Sequence, residues 1–473
     1  MKKIKKALAL SLALAMGLSL VACGDKEDDG TTAAGDTTAA PETTAAAGDE
    51  TTAAVEPAST GIEAPSTDGW DDSKKIYAYS WDDDFKKKLD IVLEAYPQYK
   101  DYVEYNILGI SGTGDEYKTA IDTALENGDK YPSLIPADND VAKYWSEDDS
   151  KTMNLQDLGF TDEVMSNSYD FAKQYATYNG QLKAVTWQGC PGSVFYKRDI
   201  AQEVLGSDDP DTVQAALADW DKFFETADKM KEAGYYIVSG PDEVKYPIWD
   251  SQTQPWVTDD GSKETLTLDS SVTDYLEMTK KLQDGEYTTN TSMWTWGDNM
   301  MPDGKVFCWF GCPWFVGSMK DNGAVEGEWG ACVGPVGYHW GGTYVMVGKD
   351  TPNPELCAFL LYELTCDPDI GVEICNQYGD FVNNKAANDR LAAGELASDN
   401  AALVFLGGQD PIATWAAAAA SYNASNVTYN DASIKNIIDQ AAIGYREGTI
   451  ATIDDAIKYI EDEANTQLGI SAE

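Results

Sequence analysis

Apolar positions fall into three regimes along this chain. Lys2, Lys3, Lys5 and Lys6 precede a mostly apolar run over residues 7–22. That run is short for a bilayer span of about 20 residues, and it has the basic-then-apolar profile of an export signal. Residues 24–72 are mainly Thr, Ala, Asp, Glu, Gly and Pro, with repeated Thr-Thr-Ala-Ala units and almost no large apolar side chain. Such a segment buries too little surface to offset its ordering entropy, so a disordered spacer is expected. Regular periodicity starts at Lys74. Residues 76–79 read as a strand, and Phe85, Leu89, Val92, Leu93 and Tyr96 recur at helical spacing over 83–96. A second strand follows over 102–108. The turn Gly112-Thr113-Gly114 then feeds a helix through Tyr117, Ile121 and Leu125 that stops at Gly128, ahead of a third strand over 133–135. Strands alternating with amphipathic helices imply a parallel α/β layer. Downstream, a long helix is predicted over 211–233 with Val213, Leu217, Trp220, Phe224, Ala227 and Met230 inward. A strand over 344–347 leads to Pro354, well placed in the first turn of a helix, and residues 413–463 read as helix throughout.

The 473 residues suffice for two domains with full cores. A formal charge of −46, which becomes −50 without the four lysines of the leading segment, repels nucleic acid and anionic lipid and argues against an acidic substrate. The aromatic load is high for so acidic a chain: 14 Trp, 26 Tyr and 12 Phe, many in Gly- and Pro-flanked segments, a pattern that suits a cleft lined with rings. Beyond Cys23 there are seven cysteines, Cys190, Cys308, Cys312, Cys332, Cys357, Cys366 and Cys375. An odd number leaves at least one thiol free unless chains pair. They read as mostly small buried residues, with a local Cys366–Cys375 disulfide left open.

A single histidine, His339, removes His-based triads and H-E-x-x-H zinc sites, and no G-x-S-x-G, P-loop or G-x-G-x-x-G follows a predicted strand. With 80 acids, carboxylate pairs carry no information about glycosidase chemistry. Acidic clusters near Asp148 and Asp259 read as solvated surface ahead of calcium sites.

Two resemblances change the picture. Leu20-Val21-Ala22-Cys23 resembles a bacterial lipoprotein signal, which implies a diacylglyceryl group on the Cys23 thiol and cleavage before it. Two acyl chains, at about 0.8 kcal/mol per buried methylene, anchor stably. The second rests on Trp187-Gln188-Gly189-Cys190-Pro191-Gly192 leading into Phe195-Tyr196-Lys197-Arg198, then Leu205-Gly206-Ser207-Asp208-Asp209-Pro210 and Asp219-Trp220-Asp221-Lys222-Phe223. Ser80-Trp81-Asp82-Asp83, Ala137-Asp138-Asn139-Asp140, Phe310-Gly311-Cys312-Pro313-Trp314, Trp340-Gly341-Gly342 and Gly407-Gly408-Gln409-Asp410 recur in the same order. Everything after Lys74 resembles family 1 extracellular solute-binding proteins, the lipid-anchored carbohydrate receptors of bacterial ABC importers. Cys190 departs from the pattern, standing where Thr, Ser or another small residue is expected.

The resemblance implies a two-lobed α/β fold of the periplasmic-binding-protein type II, with the ligand cleft between lobes joined by crossover strands. The expected division is 1–22 signal peptide, 23–73 lipidated cysteine and linker, 74–189 plus about 341–378 N-terminal lobe, and 190–340 plus about 379–473 C-terminal lobe. The implied function is a monomeric receptor on the extracellular face of the cytoplasmic membrane. It binds a carbohydrate, delivers it to ABC permease subunits, and needs no cofactor, metal or nucleic acid. A carbohydrate-active enzyme or a sugar receptor for a sensor kinase are the alternatives.

A sugar needs rings for its flat CH faces and polar side chains for its hydroxyl rim. Trp81, Trp187, Trp314 and Trp340 are the candidate rings, Trp340 foremost because Gly341 and Gly342 beside it would leave its face open. Trp294, Trp296, Trp249 and Trp256 are weaker candidates for extending the cleft, and Trp220 reads as core. For the rim, Asp82, Asp83, Asp140, Gln188, Gln409 and Asp410 are the candidates; helix capping competes for each acid and for Gln409.

Overall fold

The computed structural model describes residues 61–472. Cys23 and most of the expected spacer lie outside them. The boundary expected at residue 73 needs correction, because the chain already packs on the body from residue 61. Ile62 lies against the core, Tyr99 donates its hydroxyl to the Pro65 carbonyl at 2.6 Å, and the Trp70 ring meets Tyr102 edge-on at 5.0 Å.

The first lobe is built from β1 (Ile76–Ser80), α1 (Asp84–Ala95), β2 (Val103–Ile107), α2 (Asp115–Asn127), β3 (Pro132–Asp138) and α3 (Asn139–Ser146). The second sheet comes from β4 (Ser193–Lys197), β5 (Cys308–Gly311) and β6 (Trp329–Cys332), after which β7 (Thr343–Val347) returns to the first. In the first sheet the order is β7-β3-β1-β2, parallel except for β7. In the second the order is β6-β4-β5, with β4 antiparallel to both neighbours. Each sheet therefore holds one reversed strand, and in each that strand enters directly from a segment crossing between the sheets. β4 and β7 are buried at every position, as five-residue runs covered on both faces must be. Pro136, which has no N–H to donate, stands beyond the last pair between β3 and β1, Leu134 with Ala78. The sheet thus opens at the end where β3 runs into α3.

The crossing segments lie side by side. Gly192 donates its N–H to the Tyr338 carbonyl at 2.6 Å, Trp340 to Cys190 at 3.2 Å, Gly189 to Phe381 at 2.7 Å and Asn383 to Trp187 at 2.7 Å. Gly192 is required there, since a Cβ would sit 2.4 Å from the Tyr338 ring. Cys190 holds a left-handed φ of +43°, which a side chain with a Cβ rarely adopts.

Two predicted helices are broken. The segment 211–233 divides into Pro210–Ala216 and Trp220–Ala233, because the Asp219 side chain accepts from the Lys222 N–H and starts a new helix. The segment 413–463 resolves into Ile412–Ser421, Asp431–Glu447 and Ile453–Leu468, with Gly448 ending the second and Thr452 capping the third. None of the described helices is long and apolar enough to cross a membrane.

Removing residues 61–66 is expected to destabilise the folded body by about 2 kcal/mol, from the lost Ile62 contact and the Tyr99 hydrogen bond. An unchanged urea midpoint would show that this segment does not pack on the body in solution.

Candidate functional site

Strand ends and helix starts of the first sheet set one wall of the cleft. Behind β1, the ladder continues through Leu108 N–H to Ser80 O at 2.9 Å and Gly109 N–H to Trp81 O at 2.8 Å, which fixes the Trp81 backbone. Its half-buried ring lies against Gly112, where a Cβ would fall 2.6 Å away, and meets Tyr117 edge-on at 5.6 Å. Asp82 accepts from the N–H of Asp84, the first residue of α1, at 3.0 Å, while Asp83, at the N-cap position, makes no side-chain cap bond and pairs with Lys87 at 2.8 Å. At α3 the cap is Asp138, which accepts from the Asp140 N–H at 3.0 Å. Burial, helped by the neighbouring Asp140, raises the Asp138 carboxyl above the usual carboxylate range. Asp140 is thereby relieved of capping. It is exposed, and its carboxylate has no hydrogen bond or ion pair among the described residues.

The opposite wall comes from the helices Lys245–Trp249 and Asp431–Glu447. Between the walls lies a cavity of about 350 Å³, polar at its rim and reached by Lys118, Asp140, Lys245, Tyr246, Lys435 and Asp439. Lys118 stands 3.8 Å from Asp115, and Lys245 and Lys435 each stand 3.6 Å from their partners, Asp439 and Asp250. These separations are too long for hydrogen bonds, so the three ammonium groups keep their donors for an incoming acceptor. The second oxygen of Asp250 accepts from the His339 N–H at 2.8 Å, and burial lifts its carboxyl to about 6. The His339 ring stacks on Tyr422 at 5.6 Å, and burial lowers its pKa to about 3, so it is neutral. A second cavity of about 390 Å³ lies between the start of α1 and the helix Phe315–Asp321, lined by Lys88, Trp314, Lys320 and Asp380 among others. There Lys88 bridges Asp84 and Asp380.

The aromatic side of the cleft departs from expectation. Trp340 is 4% exposed. Tyr246 stacks on it at 4.6 Å, and Trp314, Phe315 and Trp294 surround it at 5.0, 5.4 and 5.5 Å. The positive φ values of Gly341 and Gly342, 77° and 101°, turn the chain tightly. Trp314 donates its indole N–H to the Trp340 carbonyl at 3.0 Å, and Asn139 donates to the Gly342 carbonyl at 3.1 Å. The two glycines thus bring neighbours onto Trp340, and the rings that line the cavity are Tyr246 and, at its floor, Trp249. Trp187 also needs correction: it is 1% exposed and packs on Phe85 at 5.7 Å, inside the core.

Three polar candidates are tied up elsewhere. Gln188 accepts from the Thr343 N–H at 3.0 Å and serves the crossing. Gln409 accepts from Arg198 at 3.2 Å and exchanges two hydrogen bonds with Ala331 at the edge of β6, while Asp410 accepts from the Ile412 N–H at 2.8 Å, ahead of the helix Ile412–Ser421. Neither Gln409 nor Asp410 lines either cavity. Trp220 is half-buried and lines an outer groove with Phe224, so it is not core in full. Trp256 and Trp296 are fully buried, and Trp249 is 4% exposed at the floor of the first cavity. The seven described cysteines are free and buried, so no Cys366–Cys375 disulfide forms. Among the described residues no set of three His, Cys, Asp or Glu side chains is placed to hold a metal. Tyr246, Lys245, Lys435 and Asp439 were missed in the sequence; they sit on helices far apart in the chain, and no spacing links them.

Below the tryptophans, Glu243 is wholly buried. One of its oxygens accepts from both Ser239 and Trp296, while the other has no partner. Burial pushes this carboxyl up to about 8.

Two α/β sheets, each with one reversed strand, joined by paired crossing segments and facing each other across a polar cleft with an aromatic wall, define a two-lobed protein of the type II binding-protein fold. A family model described as bacterial extracellular solute-binding protein matches residues 94–404, and the chain belongs to that family. Among solved structures, an extracellular solute-binding protein of family 1 is similar at 18% identity and TM-score 0.65, covering 83% of this chain and 98% of that one. The galacto-N-biose/lacto-N-biose I-binding protein of the Bifidobacterium longum ABC transporter, in complex with lacto-N-biose, is similar at 15% identity and TM-score 0.64, with 85% and 100% covered. An ABC transporter associated binding protein from B. animalis subsp. lactis, in complex with β-1,6-galactobiose, is similar at 19% identity and TM-score 0.60, with 85% and 99% covered. The search of curated proteins finds no match.

Trp340→Ala is expected to lower stability by about 3–5 kcal/mol, as the loss of a buried ring does; a thermal melt within a degree or two of the parent would contradict the packing described. Glu243 supplies a pH signature. Its folded pKa lies above the unfolded one, so its contribution is full below the unfolded value of 4.5 and is lost as pH rises through about 8. Glu243→Gln should flatten the stability profile between these limits in denaturant titrations, and an equally steep fall in the variant would show that another group titrates.

Proposed function

We propose that this protein is a cell-surface receptor that binds a neutral oligosaccharide in the cleft and hands it to the permease of an ABC importer, without chemistry of its own. The single observation that carries the reading is the cavity over Tyr246. It joins an aromatic wall to Lys118, Lys245, Lys435 and Asp140, whose hydrogen-bonding capacity is unspent. A hydroxyl rim takes donors from the lysines and donates to Asp140, while the CH face rests on the ring. Neutrality follows from the charges: Asp115, Asp439 and Asp250 stand beside the three lysines, and Asp140 is unpaired, so the cleft carries no positive excess for an acidic sugar. Lacto-N-biose and β-1,6-galactobiose, named for two of the similar structures, are neutral disaccharides and suit the same logic. Lys118, Asp140, Lys245, Tyr246 and Lys435 are the contacts proposed at this cavity; Trp314, which lines the second cavity, and Trp81 and Asp82 are proposed as further contacts on the resemblance.

The lobes are proposed to divide at 189/190, 340/341 and 378/379, near where the crossing segments pair. Ligand touching both lobes favours the closed arrangement. A monomer is proposed, held to the extracellular face of the membrane through lipidated Cys23.

A glycan array followed by titration calorimetry tests the reading. Neutral oligosaccharides are expected to bind, to emerge intact on chromatography, and to reduce the radius of gyration in small-angle scattering. Hydrolysis of the bound glycan, or binding confined to uronic-acid glycans, would overturn it. Cys23→Ser is expected to release the protein from the membrane fraction or leave an uncleaved precursor; normal processing with membrane retention would refute the anchor.

A further inference from the structure

Trp294 is the most exposed tryptophan among the described residues, with 53% of its surface accessible. Its backbone φ is +71°, a region that bulky side chains avoid. Neighbours hold it there. Met293 donates its N–H to Asp242 at 3.0 Å, Trp296 donates its indole N–H to buried Glu243, and Asn299 donates to Thr289 and Thr291 at 3.1 and 3.2 Å. The loop is therefore built around a strained, outward ring, and strain that its surroundings enforce is found where a side chain must be aimed.

The direction of that aim is visible in the cluster. The Trp294 ring lies within 6° of parallel to Trp314 at 6.2 Å and stands edge-on to Trp340 at 5.5 Å. Exposure climbs along the series: Trp340 at 4%, Trp314 half-buried, Trp294 at 53%. The three indoles form a continuous series that starts at Trp340, on which Tyr246 stacks, and ends at the exposed Trp294. An occupant of one or two sugar units seated over Tyr246 is served by that ring, and a longer chain extends toward the exposed end of the series at Trp294.

On the footing of the carbohydrate reading, we propose that Trp294 is a specificity-determining residue for chain length, supplying a stacking face to a third or later sugar unit. An exposed indole held parallel to a second one offers the flat apolar face that the CH side of a pyranose covers.

The test uses the full chain, its Trp294→Gly and Trp294→Phe variants, and neutral gluco- and galacto-oligosaccharide ladders running from disaccharides to hexasaccharides. Glycine relieves the left-handed backbone, so the melting temperature of Trp294→Gly is expected to hold or rise. In the parent, affinity should step up between the disaccharide and the longer members. Trp294→Gly should erase that step, a loss of about tenfold or more, while disaccharide affinity is kept and Trp294→Phe recovers most of the step. A flat length dependence in the parent overturns the proposal, as does an unchanged step in Trp294→Gly. A fall in melting temperature with equal loss for every ladder member assigns Trp294 a structural role and overturns it too. Failure of the parent to bind any member of these ladders, or any neutral glycan on an array, removes the carbohydrate reading itself and the proposal with it.

Discussion

The main-chain pairing of the crossing segments is the constraint on which the rest of this molecule depends. Gly192 to Tyr338, Trp340 to Cys190, Gly189 to Phe381 and Asn383 to Trp187 form a strip of buried hydrogen bonds with no room for a side chain at the glycines. Buried backbone groups must find partners, so this strip fixes how the reversed strands β4 and β7 enter their sheets. Their entry in turn determines which strand ends and helix starts confront each other across the cleft. Trp340 belongs to the strip, behind the Tyr246 ring that lines the cavity, and it is accordingly packed from several sides.

Electrostatics in the cleft run against the surface. Across the whole chain acids outnumber bases by 80 to 34, yet three lysines converge on one cavity, each near an acid but not hydrogen-bonded to it. Paired in this loose way, the charges raise the local polarity without creating a strong potential of either sign. Asp250 joins this arrangement to the crossing strip, one oxygen near Lys435 and the other bound to the His339 backbone. A ligand that engages Lys435 therefore meets a group that is one carboxylate away from the segment between the lobes.

Much of the scaffold was legible from periodicity and capping residues, because strands 76–80 and 132–138 and the helix starts at Asp84 and Asp115 are decided by neighbours in sequence. The breaks within 211–233 and 413–463 were also written locally, in Asp219, Gly448 and Thr452, but the apolar period ran across them and masked them. Site residues were harder. Glycines beside Trp340 and Trp187 signal either an open approach or close packing, and here tertiary neighbours took the space. Asp140 against Asp138 turned on which of two acids two residues apart caps α3, a choice settled by backbone angles. Tyr246 and its lysines come together only through the packing of distant helices, for which one sequence carries no periodic signal.

The buried thiols have a consequence outside ligand binding. The seven described cysteines are distributed from the crossing segment to the strand cores, all unpaired and all buried, and burial raises the pKa of Cys190, Cys308 and Cys312 well above the ordinary value. The thiolate is the reactive form, so the folded chain presents almost no target to oxidants or alkylating reagents. Among the described residues no disulfide ties the fold to the redox state of its surroundings, and each of these sulfurs becomes a chemical record of whether the region around it has ever opened.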